Sequence, residues 1–229
     1  AYQAAEAHRT SRDQRRNVQR TVLDARQRLT SSSGTRVSFD YDLLDDYASA
    51  RLSGFLPTLL VIAILTAAAI LWVSPNIAAI WAGFVLTANA GIAMLCRQFR
   101  RARAEAFNAR RWTAIFISAE TINGLAWALM ALLPVVAGGQ DIRIIIFAML
   151  LVGVAVNAVS TRTLPRATLV STLPPSLAVG AMLVWSGGTL NFALAAVAMG
   201  AFFFFLFLAK QLHKSELGNL EHQLEKDGL

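Results

Sequence analysis

The chain has 229 residues, of which 55% are hydrophobic and only 15% are charged, and its net charge is +7 at pH 7. A soluble domain carries about 25% charged residues, so this composition excludes an ordinary soluble globular protein. The single cysteine, Cys96, excludes an intrachain disulfide. The sequence contains no Gly-rich phosphate loop, Ser/His/Asp set or Cys/His cluster with metal-ligand spacing, so it predicts neither a catalytic site nor a cofactor.

Residues 1–34 predict a basic amphipathic helix that ends in a flexible linker. Apolar residues recur at steps of four, three and four, which places them on one helix face. These residues are Val18, Val22, Ala25 and Leu29. Arginines surround this stripe, so the helix is expected either to lie on a membrane surface or to pair with another helix across a dimer.

Residues 35–51 predict a second amphipathic helix, which precedes the first long apolar run. Ser38 has the residue type of an N-terminal cap, and Phe39, Leu43 and Tyr47 follow at steps of four. We expect this juxtamembrane helix to rest its apolar edge at a membrane interface.

Residues 52–209 contain six apolar runs that are long enough to cross a bilayer, which takes about 20 residues as a helix. They cover about 53–73, 76–96, 112–136, 142–160, 167–185 and 189–209. The fold class predicted from them is all-α, a polytopic membrane protein with six transmembrane helices. Pro174 and Pro175 lie inside the fifth run and predict a kink, because proline removes a helix hydrogen bond.

The basic residues predict the orientation of these six helices. Twenty of the 21 lysines and arginines lie at one set of helix ends, and Arg143 alone lies at the other. The positive-inside rule assigns the side with the basic residues to the cytoplasm, so both termini are predicted to be cytoplasmic. The opposite loops are only two to five residues long and exclude an outer sensory domain.

The cytoplasmic segment 97–111 contains six arginines. Such a loop lies against the anionic leaflet, so lipid headgroups are its expected partner. Nucleic acid is the alternative partner, and the shortness of the loop disfavours it.

The third apolar run contains a carboxylate at depth. Glu120, Asn123 and Trp127 lie on one helix face, which must point into the bundle because lipid cannot hydrogen-bond a carboxylate. Asn89 and Asn157 are the other amides at depth in neighbouring runs. These five residues are the candidate ligand-binding or polar-core residues.

Two interpretations of Glu120 remain open. In one, it is a structural group that fixes helix register; in the other, it is the centre of a ligand or proton site. In either case we expect a neutral acid, bonded to Asn123, Asn157 or Asn89, because no cation lies near it in its own run. A structural role predicts that Glu120→Gln is nearly neutral.

Residues 210–229 continue the sixth run as a charged helix. Leu217, Leu220 and Leu224 form a short coiled-coil seam, and the helical pattern persists to the last residue. We therefore expect a longer protein in which this helix continues beyond Leu229.

The segment "ARRWTAIFISAETINGLAWAL" at 109–129 is similar to the third span of six-helix sensory domains in bacterial signalling proteins. "AKQLHKSELGNLEHQLEKDGL" at 209–229 resembles the linker that leads to the dimerisation helices of alphaproteobacterial sensor histidine kinases. The resemblance covers residues 35–229 and includes the six spans, the minimal outer loops and the Arg-rich loop.

The resemblance implies a membrane input region of a two-component sensor histidine kinase, placed in a bacterial inner membrane. Sensor kinases of this type work as dimers, so together with the Val18–Leu29 stripe and the Leu217–Leu224 seam it predicts a parallel homodimer. It would relay a signal through the sixth span to a kinase module outside this chain, and through that module to a response regulator. The alternatives are an input domain of a GGDEF diguanylate cyclase, a small transporter or channel, and a membrane-bound enzyme.

Overall fold

The computed structural model describes residues 37–101 and 108–227, and their side chains over 41–101 and 108–212. Every regular element in these ranges is helical, which confirms the all-α prediction. The elements are α1 (Val37–Ser53), α2 (Phe55–Ile70), α3 (Pro75–Arg101), α4 (Ala109–Ala128), a 3₁₀ helix (Leu129–Leu132), α5 (Leu133–Ala137), α6 (Gln140–Ser160), α7 (Pro165–Ser186) and α8 (Thr189–Asp227). The basic helix predicted within residues 1–34 lies outside the described residues.

Short turns connect the long helices, and their residue types explain where the helices end. Gly138 and Gly139 have φ values of 70° and 88°, which glycine adopts without a steric penalty. Gly187 and Gly188 repeat this arrangement between α7 and α8. At the other end of the bundle, the Asn108 side chain accepts a hydrogen bond from the Arg111 amide and caps α4.

Five described helices are long and apolar enough to cross a membrane. They correspond to the second to sixth apolar runs of the sequence. The first run corresponds to α2, which has only 16 residues and reaches the required length when it is joined to α1 across a 47° bend. Gly54 lies at this bend, between Ser53 and Phe55. The described helices therefore offer five membrane-crossing elements, or six if the bent pair counts as one.

The outer surface of the bundle exposes many large apolar side chains, both at the ends of the helices and along them. Leu56, Leu71 and Val135 are each about three-quarters exposed, and Trp185 is 93% exposed. Contiguous apolar surface of this kind is unfavourable in water and marks contact with a membrane or a partner.

The interior contains two apolar clusters, one toward each end of the bundle. The larger is built around Trp81, Trp127 and Met130 and includes residues of α2 to α8. The smaller cluster packs Leu44, Tyr47, Ala48, Cys96, Phe99 and Phe116 together.

Helix α1 belongs to the smaller cluster and packs against α3, α4 and α6. Leu43, Leu44 and Tyr47 are at most 2% exposed. The expectation that this helix rests its apolar edge at a membrane interface is therefore corrected for Leu43 and Tyr47, the described part of that edge, because the other helices cover them.

Helix α7 is central, because it packs against α4, α6 and α8. It runs as one helix through Pro174 and Pro175. These prolines have no amide hydrogen to give to the carbonyls of Val170 and Ser171, four residues earlier. The same two carbonyl oxygens face Gly124 of α4, where an added Cβ would lie 2.7 Å and 2.8 Å from them. The missing side chain of Gly124 thus permits the close crossing of α4 and α7.

Candidate functional site

Six buried polar side chains from four helices form one hydrogen-bonded set, here called the polar network. It consists of Tyr47 and Arg51 from α1, Asn89 from α3, Glu120 and Asn123 from α4, and Asn157 from α6. Each of the six is at most 6% exposed. Helical spacing explains the pairs: Tyr47 and Arg51 are four residues apart, and Glu120 and Asn123 are three apart, so each pair shares a face.

The carboxylate of Glu120 is bound by Arg51 and Tyr47. The Arg51 Nε donates to Oε1 over 2.7 Å and its Nη2 donates to Oε2 over 2.5 Å. The Tyr47 hydroxyl also donates to Oε1. A two-pronged guanidinium–carboxylate contact is among the stronger charge-assisted hydrogen bonds in proteins.

This contact contradicts the expectation that Glu120 is a neutral acid. That expectation assumed that no cation lies near Glu120, whereas Arg51 is 69 residues away in sequence and adjacent in space. The Arg51 guanidinium and the Glu120 carboxylate form a salt bridge of 2.5 Å between side chains that are 5% and 0% exposed. Glu120 is one half of a buried ion pair.

The three asparagines extend the network away from the ion pair. Arg51 Nη2 donates to Asn157 Oδ1 over 3.3 Å, and Asn123 Nδ2 donates to the same oxygen over 3.2 Å. Asn89 Nδ2 then donates to Asn123 Oδ1 over 3.1 Å. The asparagines thus bond to one another between neighbouring helices. The expectation that Glu120 bonds to one of them is wrong for the described hydrogen bonds, because its partners come from α1.

Trp127 lies one turn beyond Asn123 and has a packing contact in place of a hydrogen bond to the network. Its ring meets that of Trp81 edge to face, with centroids 5.8 Å apart. Gly153 of α6 lies directly under it, since an added Cβ there would come within 3.0 Å of the indole ring. Among the described contacts, Trp127 joins α3, α4 and α6 next to the network.

Aromatic rings cover the opposite side of the ion pair. The rings of Tyr47 and Phe116 have centroids 4.8 Å apart, and Phe99 lies 5.6 Å from Phe116. Trp112 completes the group at 5.2 Å from Phe99. This cover keeps water from the ion pair, and charges interact more strongly where water is excluded.

The hydrogen bonds of the network hold four helices in fixed positions relative to one another. Both oxygens of Glu120 are already occupied by donors from α1, and the described residues contain no group of three His, Cys, Asp or Glu side chains able to hold a metal. Withdrawing α1 would leave the Glu120 carboxylate buried without a partner, which is costly, and would remove one of the two donors to Asn157 Oδ1. The network therefore couples the position of α1 to those of α4 and α6.

Sequence reasoning identified Glu120, Asn123, Asn157 and Asn89 but missed Tyr47 and Arg51. Arg51 is one of the 20 basic residues at the predicted cytoplasmic helix ends, and that position alone accounts for its charge in the sequence. A signal was present, because Tyr47 and Arg51 place two donors on one face of the helix just before the first apolar run.

No family model, characterised protein or solved structure matches the chain. The role of the polar network is therefore inferred from its geometry and from the helices that it joins.

Proposed function

We propose that the chain is a multi-pass protein of the bacterial inner membrane that crosses the bilayer six times, with both termini in the cytoplasm. The apolar helices and the exposed apolar side chains support this placement. So does the position of 20 of the 21 basic residues at one set of helix ends. In this orientation the polar network lies toward the cytoplasmic side.

We further propose that it is the input region of a two-component sensor histidine kinase, with the kinase module beyond this chain. The observation that carries the proposal is α8, a single helix of 39 residues. At 1.5 Å per residue it is about 58 Å long, roughly twice the thickness of the hydrocarbon core. Its second half therefore projects from the bundle and suits a helix that transmits motion to a cytoplasmic module.

A continuous set of contacts joins the polar network to α8. The network holds α1 against α4 and α6, α4 crosses α7 closely at Gly124, and α7 and α6 both pack against α8. In the proposed mechanism, a signal that shifts α4 or α6 changes the packing of α8, and α8 carries the change into the cytoplasm. The element with two states in this mechanism is the Arg51–Glu120 ion pair, which is either formed or broken.

The test uses the whole gene product that contains this chain, in isolated membranes supplied with ATP labelled at the γ-phosphate. Phosphate should appear on a histidine of the protein and pass to a response regulator. The same membranes supplied with GTP distinguish the alternative output, because cyclic diguanylate would identify a cyclase. Neither product, together with solute uptake into vesicles, would overturn the signalling proposal in favour of transport.

The role of α8 has its own test in the same membranes. One residue inserted between Lys210 and Gln211 rotates everything after it by about 100°, whereas seven residues restore a coiled-coil phase. Output should change with the single insertion and return with the seven-residue insertion, which serves as the matched control. Output that is indifferent to the phase of α8 would contradict a mechanical role for this helix.

A further inference from the structure

A groove lies between two walls, one formed by the last turn of α4 together with α5 and the other by the last turns of α7. It is at the end of the bundle that lies opposite the basic loops. Its volume is about 830 Å³, within the range of small-molecule sites. Its walls include Leu125, Leu132, Ala178, Met182 and Trp185. The walls are almost entirely apolar, so an occupant must present an apolar body.

One charged side chain, Arg143, lines this groove, which we call the Arg143 groove. Arg143 is half-buried, and its Nη1 donates to Gln140 Oε1 over 3.2 Å. Gln140 is held in turn by its bond to Asn191 Oδ1, over 2.8 Å. Among the described residues no carboxylate lies within ion-pairing distance of Arg143, so the guanidinium has capacity for an external anion.

We propose that the Arg143 groove binds a single-chain anionic amphiphile of the long-chain fatty-acid class. The acyl chain would lie along the apolar walls and the carboxylate would bind Arg143, whose planar guanidinium matches a carboxylate with two parallel hydrogen bonds. The lining along α4, the 3₁₀ helix and α5 runs from Leu125 to Val135, about 15 Å along the axis, which suits an extended chain. A groove between two helices holds one chain more readily than the two chains of a phospholipid.

The proposal rests on the membrane placement proposed above, which puts the groove in the outer half of the bilayer with Arg143 at its outer mouth. It also names a class of signal for the proposed input region. The occupant would separate α4 from α7, the two helices that cross at Gly124, and α7 packs directly against α8.

The binding test uses the full chain in nanodiscs of zwitterionic lipid, titrated with a fatty acid that carries bromine in mid-chain. Bromine quenches nearby indoles, and Trp185 lines the groove and is highly exposed. Subtracting the signal of a Trp185→Phe variant isolates this residue from the other four tryptophans. Quenching should saturate, and Arg143→Gln should weaken binding about tenfold or more, as expected for a lost charge-assisted hydrogen bond.

Two further variants test the location. Ala181→Phe places a ring in the groove and should abolish saturable quenching. Ala67→Phe is the matched control, because Ala67 is an exposed alanine of α2 that does not line the groove, and it should bind as the wild type does.

The methyl ester of the same fatty acid tests charge recognition on the unaltered protein and so does not depend on the folding of any variant. It should bind at least tenfold more weakly than the acid. Equal binding of acid and ester, or quenching that rises linearly and is the same in Arg143→Gln, would overturn the proposal and indicate partition into lipid. The fatty-acid experiment measures binding, whereas the test of the proposed function measures phosphorylation. A failure of one proposal can therefore be distinguished from a failure of the other.

Discussion

At the scale of single residues, Glu120 is stable in an apolar interior because three donors reach it from one helix. Two are on Arg51 and one is the hydroxyl of Tyr47. A buried ion pair of this kind adds little net stability compared with apolar side chains of similar volume, because both charges lose their hydration. Its energetic importance appears when one partner is removed and the other charge stays buried alone.

Replacing either member of the pair should therefore be strongly destabilising. Glu120→Gln or Arg51→Gln is expected to cost about 3–5 kcal/mol, since each leaves an uncompensated buried charge. This differs from the near-neutral effect expected for Glu120→Gln when the carboxyl was assumed to be neutral. The double variant Arg51→Gln with Glu120→Gln should be milder than the sum of the two, with a coupling energy of about 1–3 kcal/mol in a double-mutant cycle.

The exposed pair of Arg100 and Asp45 is the matched control for this cycle. Its atoms lie 3.5 Å apart and its side chains are 50% and 40% exposed. Arg100→Gln and Asp45→Asn should each change stability by about 0–1 kcal/mol with little coupling. The measurement is unfolding in one mild detergent, and additive effects at Arg51 and Glu120 would mean that the ion pair is absent from the native protein.

At the scale of helices, the crossing of α4 and α7 depends on a glycine and on two prolines. Pro174 and Pro175 leave the carbonyls of Val170 and Ser171 without their usual helical donors. Gly124 lets α4 approach those carbonyls. The result is a close backbone contact between the helix that carries Glu120 and the helix that packs against α8.

Gly124→Ala should disrupt this crossing. The new methyl group would lie under 3 Å from two backbone oxygens, which cannot move aside as a flexible side chain would. We expect a loss of about 1–3 kcal/mol in unfolding free energy, typical of overpacking. The matched control is Gly83→Ala on α3, where an added Cβ meets nothing within 4 Å. It should be neutral or stabilising by up to about 1 kcal/mol, and equal losses at both positions would contradict the close crossing.

The projecting part of α8 gives a prediction about assembly. Leu217, Leu220 and Leu224 lie on the described helix, although their side chains are outside the described residues. Single cysteines placed along 210–224 in a parallel homodimer should cross-link with a period of about 3.5 residues, with maxima at the three leucine positions. Uniform cross-linking, or a monomer in both mild detergent and nanodiscs, would contradict the dimer.

At the scale of the whole molecule, the two ends of the bundle differ in chemistry. The end that carries the basic loops also carries α1, the aromatic cluster and the polar network. The other end carries tight glycine turns, the Arg143 groove and a single basic residue. This asymmetry supports one orientation in a bilayer.

Cysteine accessibility tests that orientation in a Cys96→Ala background. Gln98 and Thr189 are exposed positions at opposite ends of the bundle. An impermeant thiol reagent should label Thr189→Cys in intact cells and Gln98→Cys only after the cells are permeabilised. Thr163 is unsuitable, because at 2% exposure it would escape labelling on either side. Labelling of Gln98→Cys in intact cells would contradict this orientation and indicate the opposite one.

Features that depend on local pattern could be predicted from the sequence alone. Hydropathy located the apolar helices, because about 20 apolar residues in a row have few other stable conformations. Helical spacing placed Glu120 and Asn123 on one inward face, and it identified Asn89 and Asn157 as further polar groups at depth. The hydropathy pattern also limited the outer loops to two to five residues.

The pairing of those helix faces could not be predicted from local pattern, because it depends on how the helices pack. Arg51 and Glu120 are 69 residues apart in sequence, and nothing in the local pattern of either helix indicates which charge will meet which. The pairing follows from the 47° bend at Gly54, which turns α1 away from the line of α2, and from the packing of α1 against α3, α4 and α6. A buried ion pair is a property of two surfaces brought together, so it appears only when the helices have been assembled.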